Sequence, residues 1–197
     1  IFFSVVYIET RNRIQQQAIQ RFFFSIFIIG VSSNFAVVVV FAGNMELSAV
    51  KREVKDGQYS PLAFFIAQQL VQIPAMFLLG IAALVPMFGI GQLHWPSFGV
   101  ALCVISANLW TFEGLAQMLS LGTNPLLGML NFTNLWFTGF LFSGMFVRFV
   151  DVIWPFRLFC YILPIGWTAA SLMYTVMIDS PDYAGAFDCD ANATEAL

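Results

Sequence analysis

The stretch L-A-F-F-I-A-Q-Q-L-V-Q-I-P-A-M-F-L-L-G-I-A-A-L-V-P-M-F-G-I, Leu62 to Ile90, runs for 29 residues without a charged side chain. A helix needs about 20 residues to cross a hydrocarbon core roughly 30 Å thick, so this segment is long enough to span a bilayer. Three further apolar stretches have the same reach: Phe22 to Ala42, Ser97 to Leu121 and Leu126 to Val147. The reading is of an all-α, polytopic transmembrane bundle.

Composition agrees. The chain is 59% hydrophobic and 10% charged, with 23 Phe among 197 residues, far below the roughly 25% charged content of an ordinary soluble domain. The net charge of -3 says little about partners, because the acidic excess lies after residue 150. No basic stripe marks a nucleic-acid partner; the implied surroundings are membrane lipid.

The segment I-F-F-S-V-V-Y-I at residues 1–8 reads as the end of a truncated first helix, with no basic flank or small-residue cleavage site to make it a signal peptide. Past Val147, two shorter apolar pieces, Val152 to Tyr161 and Ile165 to Ile178, are interrupted by Pro155 and Pro164. Both are short for independent spans and suit a re-entrant or interfacial external segment. Residues 1–178 thus form one transmembrane domain, and 179–197 begin an external loop.

Orientation is set by the tail. Arg11, Arg13 and Arg21 precede the Phe22 span and Lys51, Arg52 and Lys55 follow it, so the basic residues tie. Asn192-Ala193-Thr194 is an N-glycosylation sequon beside Cys189, in a polar tail of the kind found outside the cell. Counting back from it puts Met45 to Pro61 in the cytoplasm and Trp95, Trp154 and Trp167 at the outer interface, where amphipathic rings collect.

Met45 to Pro61 holds three of the eight basic and three of the eleven acidic residues. Met45, Val50 and Val54 are expected on one helical face and Lys51, Arg52 and Lys55 on another, with Asp56-Gly57 as a stop before Pro61 opens the next helix. Two readings stay open from spacing alone: a short amphipathic helix along the membrane surface, or a solvated connection with stop-transfer charges.

The spacing E-x-x-x-x-x-R-E-x-x-x-G-x-Y, carried by Glu46, Arg52, Glu53, Gly57 and Tyr59, resembles the linker after the second membrane helix in the G subfamily of ABC transporters, the white and pleiotropic drug resistance type. The likeness continues in order through L-V-Q-I-P (Leu70 to Pro74), where Gln72 replaces the usual acid. It then runs through N-P-L-L-G (Asn124 to Gly128) and F-S-G-M-F-V (Phe142 to Val147), followed by I-W-P-F-R and Y-I-L-P-I-G-W.

The resemblance implies a type-2 exporter membrane domain with a short cytoplasmic coupling helix in Met45–Asp56. It implies a central cavity between two membrane domains, with Phe27, Val31, Asn34 and Phe35 facing Thr133, Phe137 and Phe140. Met145 and Phe146 would form an outer plug. Flat or amphipathic cargo (lipids, sterols, drugs) suits such walls. Cys189 is implied in a disulfide, either within the chain to Cys160 or between chains.

No G-x-x-x-x-G-K-[ST] occurs in the sequence, so no loop here is built to cradle ATP phosphates. ATP and Mg are expected on a nucleotide-binding domain outside this segment, with no catalytic residue or cofactor in it. The second membrane domain would be an identical chain, a different one, or the other half of the same polypeptide, in a multi-pass protein of the plasma membrane. A channel or ion-driven carrier is the alternative; the spans lack the repeated acidic or His positions of ion relays and an inverted repeat of broken helices. An intramembrane enzyme would need a nucleophile paired with His, or metal-ligand spacing, within a span. Glu113, inside a span, costs on the order of 2.5–3.5 kcal/mol there and must be protonated or paired, with Gln117 or Trp110 as the expected local partner. His94 is read as an exposed loop residue with no metal partners, and Cys103 as a small apolar filler.

Overall fold

The computed structural model describes residues 2–7, 15–122, 124–144, 146 and 150–178. Their elements, all helical, are α1 (Phe2–Val6), α2 (Gln15–Asn34), α3 (Ala36–Lys55), α4 (Pro61–Gly91), a single 3-10 turn (Trp95–Ser97), α5 (Phe98–Ser120), α6 (Pro125–Leu141), α7 (Arg157–Ile162) and α8 (Pro164–Ile178). Three helices are long and apolar enough to cross a membrane: Ile19–Lys55, taken as one, Pro61–Gly91 and Trp95–Ser120.

Pro61 opens a helix as expected, whereas Pro74 and Pro86 lie inside α4 without ending it. Pro61, Pro125 and Pro164 each open a helix, where the missing N–H would have had no intrahelical acceptor. Ser60 Oγ accepts from Ala63 N at 3.2 Å, and Asn124 Oδ1 from Leu126 N at 3.1 Å, capping α4 and α6.

α5 is the hub, packed on α3, α4, α6 and α8. Ile26, Ile29 and Val40 from α2 and α3, Leu84 and Phe88 from α4, Ile105 and Phe112 from α5, Phe132 from α6 and Leu172 from α8 are fully buried in one core. Gly91 lies against Phe24, Gly30 against Phe140 and Gly128 against Val40. The N-terminal part of α2 therefore shares one side of the bundle with the ends of α4 and α6, and the Lys55 end of α3 shares the other with Pro61 and Ser120. α8 descends from the α6 end, Ile165 touching Gly139 and Thr168 Oγ1 donating to Asn108 Oδ1 at 3.2 Å. Leu62, Phe65, Ile66, Leu70, Val71 and Leu78 of α4 stay exposed, an apolar surface suited to lipid.

Three boundaries differ from expectation. The Phe22–Ala42 span and the Met45–Asp56 helix are not separated: α3 continues unbroken from Ala36 to Lys55, with no proline or strong breaker between. The interruption falls earlier, at Phe35, whose carbonyl takes a tight bond from Val38 N at 3.1 Å. Gly30, Ser32 and Ser33 precede it, with Ser32 Oγ donating to Ile28 O and Ser33 Oγ to Gly30 O; such back-bonding hydroxyls perturb helices. The fourth stretch, expected to run to Val147, is helical only over the 17 residues to Leu141. A turn follows, with Gly144 at φ 88°. Arg21, counted with a loop, lies in α2 and is buried.

Candidate functional site

The charged end of α3 is organised by helix periodicity. Gly43, Leu47, Val50 and Val54 recur at four- and three-residue spacing and turn toward the bundle, Val50 being buried. Met45 is 62% exposed on the opposite side, so it does not belong to the apolar face expected of it. Glu46, Lys51, Arg52 and Lys55 are exposed. Asn44 Nδ2, near the middle of α3, reaches two carbonyls at the end of α5, Ser120 O at 2.8 Å and Gly122 O at 2.6 Å. It thereby caps the C-terminus of α5, whose last carbonyls lack intrahelical partners. A lone Asn in an apolar run carries no sequence signal for this role.

The helix stops at Asp56-Gly57, as expected. Gln58 N donates to Glu53 O and Gly57 N to Val54 O, both at 3.1 Å, closing a Schellman turn. Gly57 sits at φ 76°, in the left-handed region that a side chain rarely tolerates. Directly beyond, Tyr59 Oη donates to Glu53 Oε2 at 2.5 Å, and its ring stacks on Phe64 with centroids 6.1 Å apart. The bond to Glu53 raises the Tyr59 pKa, with burial and the nearby carboxylates adding to the rise. Glu53, Gly57 and Tyr59 thus form one local latch between α3 and α4, while Glu46 and Arg52 point outward.

The second region is where α2 packs on α6. Trp136 Nε1 donates to Ser33 Oγ at 2.9 Å, and Trp136 stacks on Phe140 with centroids 5.5 Å apart. Phe27 touches Phe140 at 6.3 Å. The expected cavity residues therefore divide. Phe27 and Phe140 are packed on each other within the seam, whereas Val31, Asn34, Phe35, Thr133 and Phe137 lie on its open side, Phe35 at 63% and Phe137 at 53% exposure. Phe146 leans on Phe140 at 5.8 Å and is exposed; Met145, its expected partner in the plug, lies outside the described residues.

Between α4 and α5 the polar side chains interlock. Gln72 Nε2 donates to Glu113 Oε1 in a short contact, Trp110 Nε1 to Gln69 Oε1 at 2.8 Å, and Gln69 Nε2 to Gln117 Oε1 at 3.2 Å. Glu113 is buried, and its partner is across the helix pair rather than Gln117 or Trp110, both of which engage Gln69 instead. A Glu113→Ala change would strand the buried Gln72 amide. The expected loss is about 1–3 kcal/mol, with Glu113→Gln, which keeps an acceptor oxygen, costing less. Thermal unfolding of the purified full-length protein checks this; equal loss in both variants would mean that the carboxyl group itself, and not an acceptor oxygen for Gln72, is what matters.

Cys160 is buried and Cys103 exposed, so Cys103 is not the buried filler expected. Cys189 and Asn192 lie outside the described residues, and with them the disulfide and the glycan. His94 is exposed on the turn between α4 and α5.

Comparison with curated proteins finds no match. The sequence model of the ABC-2 type transporter family aligns with residues 1–177, from the start of the chain into the last turn of α8, so the chain belongs to that family and is the membrane part of an ABC-type transporter.

Proposed function

We propose that this chain is the substrate-translocating part of an ATP-driven exporter of the G subfamily, moving lipophilic or amphipathic compounds across the plasma membrane. ABC-2 membrane domains generally pair with a second membrane domain and work with nucleotide-binding domains. Here ATP and Mg act on such a domain outside the segment, and the latch formed by Glu53, Gly57 and Tyr59 at the charged end of α3 receives its motion. The observation that carries this reading is the open side of the α2–α6 seam. Val31, Phe35 and Phe137 give it apolar area, Asn34 and Thr133 give it sparse polar points, and the chain's own core leaves it uncovered. Such a wall, doubled by a second membrane domain, suits cargo held by area and ring contact.

The burial of Arg21 supports the orientation. Removing it from the loop before α2 leaves Arg11 and Arg13 against Lys51, Arg52 and Lys55, two against three, so the positive-inside bias favours the Lys55 end as cytoplasmic.

Phe137→Ala is the clean test because that ring is exposed, whereas Phe27 also supports packing. An aromatic contact is worth about 0.5–1.5 kcal/mol, so relative transport of two cargoes should change by roughly twofold to tenfold. The readout is ATP-dependent efflux of two labelled amphiphiles from proteoliposomes holding the full-length transporter, at equal protein content. Unchanged preference, or transport that ignores ATP, would overturn the reading.

A further inference from the structure

Round α6, the open seam is not the only exposed feature. Asn131, Asn134 and Thr138 recur at three- and four-residue spacing and form a polar stripe on a mostly apolar helix. At 100° per residue the stripe lies about 110° round the helix from Thr133 and Phe137, so it belongs to a different face. Thr138 Oγ1 returns to Asn134 O at 2.7 Å, but neither the Asn131 nor the Asn134 carboxamide bonds another described residue. Both sit near the middle of the 17-residue helix. In a membrane protein an amide at that position cannot face hydrocarbon without a polar partner.

The stripe forms one wall of a recess of about 420 Å³, whose other wall is made by Phe142, Phe156 and Phe159. Phe142 and Phe156 stack with centroids 6.4 Å apart and an interplanar angle of 18°. Among the described residues, no charged side chain lines the recess.

We propose that this recess between α6 and α7 binds an amphiphile with an uncharged hydroxyl or carbonyl head, the head bonded to Asn131 and Asn134 and the apolar body laid on the three phenylalanine rings. The chemistry is specific in two respects. Carboxamides both donate and accept, so a hydroxyl can accept from one and donate to the other, and the lack of any cation or anion among the described lining residues gives a charged headgroup nothing there to offset its desolvation. The carboxamides and aromatic rings that face each other across the recess favour a small molecule over a helix of a second copy. The site depends on the chain being a membrane protein and not on the direction or energy source of transport.

The test is photolabelling of the full-length protein in lipid nanodiscs without ATP, so that failure of the exporter reading leaves it interpretable. The probes are a sterol alcohol with a diazirine on its ring system and the same skeleton as its sulfate ester. The alcohol should label peptides containing Phe142, Phe156 or Phe159, and labelling should fall by at least about tenfold in the Asn131→Leu/Asn134→Leu double variant, which loses two hydrogen bonds while keeping volume. The sulfate should label those peptides weakly in both proteins. Unaltered thermal unfolding of the double variant excludes misfolding, and a misfolded double variant is replaced by Asn134→Leu alone. Competition by transported cargo marks the ligand as cargo, and its absence marks a resident lipid; either supports the site. Equal labelling by alcohol and sulfate, or labelling indifferent to the substitutions, would overturn it. So would spontaneous disulfide formation between two copies of Asn134→Cys, which would make the stripe a protein interface.

Discussion

Gly128→Val should lower thermal stability and surface expression clearly, while Gly89→Val should be silent. A Cβ at Gly128 would lie 3.0 Å from Val40 Cγ1 and 3.1 Å from the backbone oxygen of Leu119. Val40 is fully buried and has nowhere to move. The Leu119 carbonyl belongs to the last turn of α5, so it moves only if that turn is rebuilt, and α5 is held there by Asn44. Overpacking of this kind costs about 1–3 kcal/mol for flexible surroundings, and a backbone neighbour puts the expectation at the upper end. Gly89 is the matched control, also helical but with nothing within 4 Å of its Cβ position. Because valine is a better helix former than glycine, any loss at Gly128 is packing. Surface expression and thermal unfolding of the full-length protein decide it; equal shifts in the two variants would mean that α3, α5 and α6 do not meet as described.

Removing charge at Glu53 should separate ATP hydrolysis from transport. In Glu53→Gln the amide oxygen still accepts from Tyr59 Oη but as a neutral and weaker acceptor, and Tyr59→Phe removes the donor outright. Both variants should insert and bind nucleotide normally. Transport should fall by roughly half or more, as expected when a charge-assisted bond is lost, and cargo should no longer change the ATPase rate. Glu9→Gln, which precedes α2 in the sequence and lies outside the described residues, is the control. Equal transport and equal cargo stimulation in all three proteins would leave Met45–Tyr59 as an ordinary connection. The latch has a predictable pH response. Tyr59 is raised above its usual pKa near 10 by its bond to Glu53. The protonated phenol and its bond are therefore fully present below that usual value and lost only as pH rises through the raised one. Between about pH 6 and 9 the Tyr59 donor stays in place, and no step in coupling should come from its titration.

Elements that depend on local chemistry were legible in the residues: the apolar stretches, the helix start at Pro61, and the stop at Asp56-Gly57. What was not legible depends on hydrogen bonds that hydropathy does not record. Ser32 and Ser33 look neutral in an apolar run, yet their back-bonds precede the break at Phe35, and the lone glycine at Gly43 does not break the helix. Glu113 posed a similar difficulty, because its partner Gln72 is remote in sequence. Gln72 stands where the resemblance leads one to expect an acid; an acid there would face Glu113, and the amide donates to it instead. Of the expected cavity residues, only three-dimensional packing separates Phe27 and Phe140, spent on the seam, from Phe137 and Phe35, which remain available. The stripe of Asn131, Asn134 and Thr138 stands in the sequence at helical spacing, about 110° round α6 from the residues that the family likeness singles out.

The unbroken α3 has a mechanical consequence. Twenty residues of helix at 1.5 Å each make a stiff rod of about 30 Å, with the charged latch at one end and the irregular step at Phe35 at the other. Asn44, bonded to the end of α5 near the middle of the rod, provides a fulcrum. If Lys55 were pushed sideways, the push would not dissipate in a loop; a tilt of the rod about Asn44 would arrive, reversed in direction, at Asn34 and Phe35 on the open seam. The travel there is set by the lengths of the two arms, so shifting the pivot along α3 would change the stroke without touching either end.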